Sequence, residues 1–197
     1  MIGVIVGFVL GFLGAVALEW LKAPRLTLLL GDLIVHDNGT YTTVRAAVEN
    51  CQPAPILRWF LNRAPALRST ASIRILSPDG TQLLQATSGR WTSSEQPPRV
   101  LQNNVMTPHA WHELQFRDLY PACREGIDVA IRHDGEALCY LFTNEGYTFH
   151  GFRDPHRSIP AGWWIVEVTV RYPQGGAVRR FRLRNDVPYS EFSLEEE

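Results

Sequence analysis

Residues 1–18 carry no charged side chain, and the apolar run ends only at Glu19, Trp20 and Lys22. At about 1.5 Å per residue, a helix over these eighteen positions spans roughly 27 Å, close to the ~30 Å hydrocarbon core of a bilayer. This predicts a single transmembrane helix over residues 1–21 and a juxtamembrane linker over 22–25, where Pro24 disfavours helix in the residue before it. Beyond it the period changes from helical to two. Residues 25–36 are rich in Leu, Ile and Val and broken by Gly31, which predicts a strand with a kink or bulge at the glycine. Asp37-Asn38-Gly39 supplies a hairpin turn, and Val44, Ala46 and Val48 then alternate with Arg45, Ala47 and Glu49 as a half-buried strand.

Residues 51–70 break the alternation with Pro53, Pro55 and Pro65 around Ile56, Trp59 and Phe60. Packing across a sheet edge is the preferred expectation there, and contact with a membrane surface is the alternative, since Arg58, Trp59, Phe60 and Arg63 are an interfacial mixture. Residues 71–76 and 81–87 read as a hairpin turned by Ser77-Pro78-Asp79-Gly80, followed by a long polar loop over 88–108 with Trp91 folded back onto the domain. Further strands are expected over 111–119, 126–132 and 138–142, and an aromatic, polar loop over 143–158. The clearest period-two signal follows in WWIVEVTVRY at 163–172, turned by Pro173-Gln174-Gly175-Gly176 into a return strand over 177–183. About seven to nine short strands with turns between them and little helix predict an antiparallel, immunoglobulin-like β-sandwich over 26–187, with a barrel as the alternative. The acidic residues 188–197 are expected to form a solvated tail.

Asp118-Leu119-Tyr120-Pro121, Asp128-Val129-Ala130 and Ile159-Pro160-Ala161-Gly162-Trp163 before a valine-rich strand form a recurrent pattern. Over roughly residues 118–185 it resembles the immunoglobulin-like sandwich domains of uncharacterised prokaryotic membrane-anchored proteins. That resemblance implies a fold and carries no activity or functional residue.

Gly3, Gly7, Gly11 and Gly14 fall within the apolar segment, at about 0°, 40°, 80° and 20° on a helical wheel. Ile5, Val9, Phe12 and Val16 lie opposite. Small residues at this spacing let two helix backbones approach, so the glycine face is a candidate seam for a second copy or another membrane subunit. Ala15-Val16-Ala17 also matches a signal-peptidase site, which leaves a secreted sandwich as an alternative. No basic residue precedes the run, and the run exceeds the usual signal-peptide core, so the uncleaved anchor is the expectation. Lys22 and Arg25 follow the run, which places the domain in the cytoplasm by the positive-inside rule.

The net charge of −1 offers no footprint for nucleic acid. Cys51, Cys123 and Cys139 are odd in number and lack C-x-x-C spacing, in keeping with a reducing compartment. No nucleophile motif, phosphate-binding loop or paired acidic motif is present, so neither catalysis nor a cofactor is expected. His109 and His112, with His150 and His156, are the nearest approach to a metal or hydrolytic site, and the alternative function rests on them. On a strand, positions i and i+3 point to opposite faces, so no metal ligand is assigned. Arg180, Arg182 and Arg184 share one face of the last hairpin strand with Arg171 on its partner, a candidate surface for an acidic partner or anionic lipid. The expected function is that of a membrane-anchored, non-enzymatic interaction module or assembly subunit.

Overall fold

A computed structural model describes residues 2–36, 39–59, 61–95, 114–146, 152–186 and 191–197. Helix α1 (Ile2–Lys22) is followed by a mainly β domain of two antiparallel sheets. The stretch Ile5–Lys22 of α1 is long and apolar enough to cross a membrane, with a mean hydropathy of 1.8 and none of it buried against the domain.

The first sheet runs β1 (Leu26–His36), β2 (Tyr41–Asn50), β7 (Arg124–His133), β8 (Cys139–Leu141) and β9 (Ser158–Ile159), with β5 (Arg90–Trp91) also on β7. The second runs β12 (Phe192–Glu196), β11 (Gly175–Asn185), β10 (Gly162–Tyr172), β3 (Ala66–Leu76) and β4 (Gln82–Ala86), with β6 (Arg117–Leu119) on β3. Alternation places Val44, Ala46, Val48 and Ile127 of the first sheet against Ile73, Ile75, Val166, Val168, Phe181 and Leu183 of the second in one buried cluster. Trp91 is fully buried in that cluster, and its indole Nε1 donates to the Gln115 carbonyl at 3.0 Å.

Two bulges bend the first sheet. Between Leu30 and Leu33 the β1–β2 register shifts, setting Gly31 and Asp32 against the single residue Arg45. A Cβ on Gly31 would lie 2.7 Å from the Arg45 carbonyl oxygen, so only glycine fits this close approach. In the β2–β7 ladder, Val44↔Ala130 gives way to Arg45↔Asp128, which leaves Val129 unpaired yet buried in the core.

Three expectations differ from the structure. Residues 192–196, expected within the acidic tail over 188–197, form β12: Phe192 and Leu194 turn inward while Ser193 and Glu195 face out. Of the strand expected over 111–119, residues 111–113 lie outside the described residues, and among 114–119 ladder pairing covers Arg117–Leu119. Ahead of it, the Leu114 and Gln115 carbonyls accept from Ser94 and Trp91 side chains, which replaces ladder bonds. The return to strand geometry after the proline-rich segment comes at Ala66, ahead of the expected residue 71.

A buried asparagine ties the loops together at each end of the domain. Asn50 accepts from the Arg25 N–H at 3.1 Å and donates to the carbonyls of Ala64 and Leu119, both at 3.0 Å. At the other end Asn185 donates to the carbonyls of Ala137, Ile159 and Pro160 and accepts from Arg132 at 3.2 Å. Replacing either amide leaves buried polar groups unpaired, each costing about 1–3 kcal/mol. Asn50→Ala is expected to lower stability by about 3 kcal/mol in equilibrium denaturation of the detergent-solubilised chain. Asn50→Gln, too long for the same three partners, is expected to recover little of it.

Candidate functional site

The last turn of α1 is clamped to the domain. The Arg63 guanidinium donates to the Leu21 carbonyl at 3.2 Å and the Ala23 carbonyl at 3.1 Å, while the Ala64 N–H donates to the Lys22 carbonyl at 2.7 Å. These carbonyls are among those a helix C-terminus leaves without an intrahelical partner. Burial, reinforced by the nearby Arg25 charge, pushes the Arg63 pKa down from its ordinary value. The Tyr172 hydroxyl donates to the Pro24 carbonyl at 3.1 Å, and the Arg25 guanidinium stacks over Trp20 at 4.7 Å. Residues 22–25, expected as a linker, are thus held by partners from three other segments. On α1, positions Gly3, Gly7, Gly11 and Gly14 have no protein atom within 4 Å of where a Cβ would stand.

The second candidate surface is the outer face of the second sheet. Register puts Arg184 opposite Trp163, Arg182 opposite Ile165, Arg180 opposite Glu167 and Arg171 opposite Gly176. Arg74 of β3 lies across from Glu167 on its other side. Glu167 is therefore flanked by two guanidinium groups: Arg180 at 3.1 Å and Arg74 in a close ion pair. The arginine side chains leave only 7% of the Glu167 side chain accessible. Arg184 reaches Glu191 at 3.2 Å and Asp186 at 3.6 Å, and the Arg182 guanidinium stacks over Trp163 at 5.3 Å. Among the described residues the Arg171 side chain makes no hydrogen bond or ion pair. It borders a shallow open depression of about 340 Å³ with Thr70, Ser72, Arg74, Thr87 and Thr169. Of the four arginines singled out in the sequence, two are spent on carboxylates and one on an indole, and Arg171 is left facing solvent.

Part of the outer face of the first sheet is covered by its own side chains, while a depression of about 230 Å³ stays open beside Gly31, Arg45 and Gly126. Ile131, Tyr140 and Phe142 pack there with Tyr41 and Phe152, and His36 stacks on Tyr41 at 4.6 Å between ring centroids. Beside this cluster Asp128 is buried between Arg45 at 2.6 Å and Arg90 at 3.2 Å. Arg90 also donates to the Asn144 side-chain oxygen at 2.6 Å, while its Nε faces Asp128 as an ion pair without a hydrogen bond. Burial, with the Arg153 charge, lowers the His133 pKa and favours the neutral ring.

His109, His112 and His150 lie outside the described residues, and His156 is exposed. No group of three or more His, Cys, Asp or Glu suited to a metal occurs among the described residues. All three cysteines are free thiols; burial raises the pKa of Cys139, and Cys51 donates to the Thr27 hydroxyl at 3.1 Å.

Residues missed by the sequence reading are Arg63, Asn50, Glu167 and Arg74. Glu167 had a legible signal, being the single carboxylate on the outward-facing positions of β10. Arg63 and Asn50 had none, because their partners lie up to dozens of positions away along the chain.

No family model matches the chain, and neither a curated protein nor a solved structure matches it.

Arg74, foremost, and Arg180 hold the Glu167 carboxyl below the usual carboxylate range against the opposing effect of burial. With the folded value below the unfolded one, the unfolded chain takes up the proton first on acidification. The stabilisation is therefore complete above about pH 4.3 and is lost as pH falls through the lowered folded value. Glu167→Gln is expected to flatten that acid arm, read as unfolding free energy against pH between about 3 and 6.

Proposed function

We propose that the chain is a single-pass membrane protein whose domain, an immunoglobulin-like β-sandwich on the cytoplasmic side, serves as a non-enzymatic interaction module or subunit of a membrane assembly. The observation that carries this reading is the pairing of an open glycine face on α1 with a helix end clamped to the domain. Association along Gly3, Gly7, Gly11 and Gly14, with a second copy or another subunit, would then set the relative positions of the attached domains. Lys22 and Arg25, on the domain side of the apolar run, support the cytoplasmic orientation. A Cβ at Gly7 or Gly11 meets no atom beyond the backbone of α1, so Gly7→Leu with Gly11→Leu leaves the domain's packing untouched. The double variant is expected to weaken self-association by about tenfold, ~1.4 kcal/mol, in energy-transfer measurements on reconstituted bilayers. Unchanged association would remove the glycine seam.

The open face of the second sheet supports a more specific part of this reading, an acidic protein partner. Arg171 has no partner among the described residues, and Arg182 holds only an aromatic stack, so these two retain charge for a ligand. Arg180 and Arg184 complete ion pairs within the face. Arg171→Glu with Arg182→Glu is expected to abolish co-purification of such a partner from native membranes while leaving the circular dichroism unchanged. Arg180→Glu places a second carboxylate beside Glu167, and its expected effect is lost stability.

A further inference from the structure

The crossover between the sheets, which leaves β2 at Asn50 and enters β3 at Ala66, presents two large apolar side chains to the outside. Ile56 is 78% and Trp59 83% exposed. They stand on a short 3-10 turn, Pro55–Leu57, whose Leu57 N–H donates to the Ala54 carbonyl at 2.8 Å. The Leu61 N–H donates back to the Leu57 carbonyl at 2.9 Å, and the Arg58 guanidinium to the Pro53 carbonyl at 3.0 Å. Pro53 before the turn and Leu61 after it are buried, so both ends are pinned while the tip faces out. Sequence patterning favours packing of this segment across a sheet edge; in the structure Leu61 is buried, and Ile56 and Trp59 are exposed.

Four residues beyond Trp59 comes Arg63, which caps α1, and then Ala64, which bonds the Lys22 carbonyl. At no more than about 3.6 Å per residue, Trp59 lies within roughly 18 Å of the helix exit. Trp20 stands on the helix side of that exit, with Arg25 stacked on it. Tryptophan settles at the boundary between headgroups and acyl chains because its ring is apolar and its N–H polar. Arginine beside it suits lipid phosphate, and an isoleucine tip suits the outermost acyl carbons.

We propose that the Ile56–Arg58–Trp59 turn is a foot that rests in the headgroup layer of the bilayer crossed by α1. The inference rests on α1 being inserted, as read above. The anchor and the foot together give two points of membrane contact joined through Arg63 and Ala64, which fixes the tilt of the domain over the bilayer.

The test uses the full chain in phosphatidylcholine vesicles containing lipids brominated high on the acyl chain, which quench nearby tryptophan. Trp59→Phe is expected to remove emission that these lipids quench strongly. Trp163→Phe, at the opposite end of β10 from the Pro24-bound Tyr172, is expected to remove emission that they leave intact. Ile56→Asp is expected to reduce the quenching of Trp59 without changing the circular dichroism. Emission from Trp59 as weakly quenched as that from Trp163 overturns the foot. The quenching lost in Trp20→Phe reports insertion separately: if Trp20 is quenched and Trp59 is not, the foot alone fails. If neither is quenched, the membrane reading fails with it.

Discussion

The Asn50 side chain holds the helix end of the molecule together. One buried amide joins the chain leaving α1 at Arg25, the crossover at Ala64 and the short strand at Leu119. Its backbone carbonyl accepts from the Ala122 N–H at 2.9 Å, and Ala122 adopts a left-handed φ of 64° there. A non-glycine residue in that region is strained by roughly 1–2 kcal/mol, so the turn is held by the bonds around it. Arg63 and Ala64, next to the carbonyl that Asn50 holds, then reach across to the last carbonyls of α1. Position passes from the core to the helix through hydrogen bonds, without a flexible segment between.

Charge does a different task in the two sheets. Arginines two apart on one strand face repel one another, and buried ion pairs add little net stability against apolar replacements. Glu167 resolves the first difficulty in the second sheet by taking one cation from each neighbouring strand, Arg74 and Arg180. A register slip of one residue would turn this carboxylate into the core, so the pairing specifies register more than it adds stability. Asp128 does the same beside the bulge in β7, where Arg45 and Arg90 meet it from the strands on either side.

The sequence was most legible where one face of a strand is apolar and the other polar. WWIVEVTVRY and its return strand show this in β10 and β11, and the bulge expected at Gly31 appears in the register of β1. Phe192 and Leu194 carry the same period in β12, but it spans only five residues and its polar positions are acidic, so composition pointed to a tail. Those acids have partners instead: Glu195 approaches Arg184 at 3.8 Å, and Glu196 reaches Arg179 at 2.9 Å. The arginine stripe could be read from alternation, whereas its neutralisation could not, because the carboxylates that neutralise it, Glu167, Asp186, Glu191 and Glu195, come from β10, β12 and the residues beside β11 and β12. The clamp at the helix exit was hidden for the same reason. Arg63 sits among prolines with no local pattern, and its partners are carbonyls of the helix.

The two outer faces differ in what they leave open. Phe142 and Phe152 complete an aromatic cover over Ile131 and Tyr140 on the first sheet, beside the buried Asp128 and its two arginines. On the second sheet the outer face of β10 has Arg171 exposed at the end nearest the helix and Trp163 exposed at the other, with Glu167 covered by arginines between them. The Tyr172 hydroxyl on Pro24 fixes which end is which. At about 3.3 Å per residue, the open face extends roughly 30 Å away from the helix exit. An α1 end held rigidly to the domain therefore gives this face one orientation relative to the helix axis. Any surface that α1 presents to a second helix and any surface that β10 and β11 present to a partner are thereby coupled in space, although their side chains never touch.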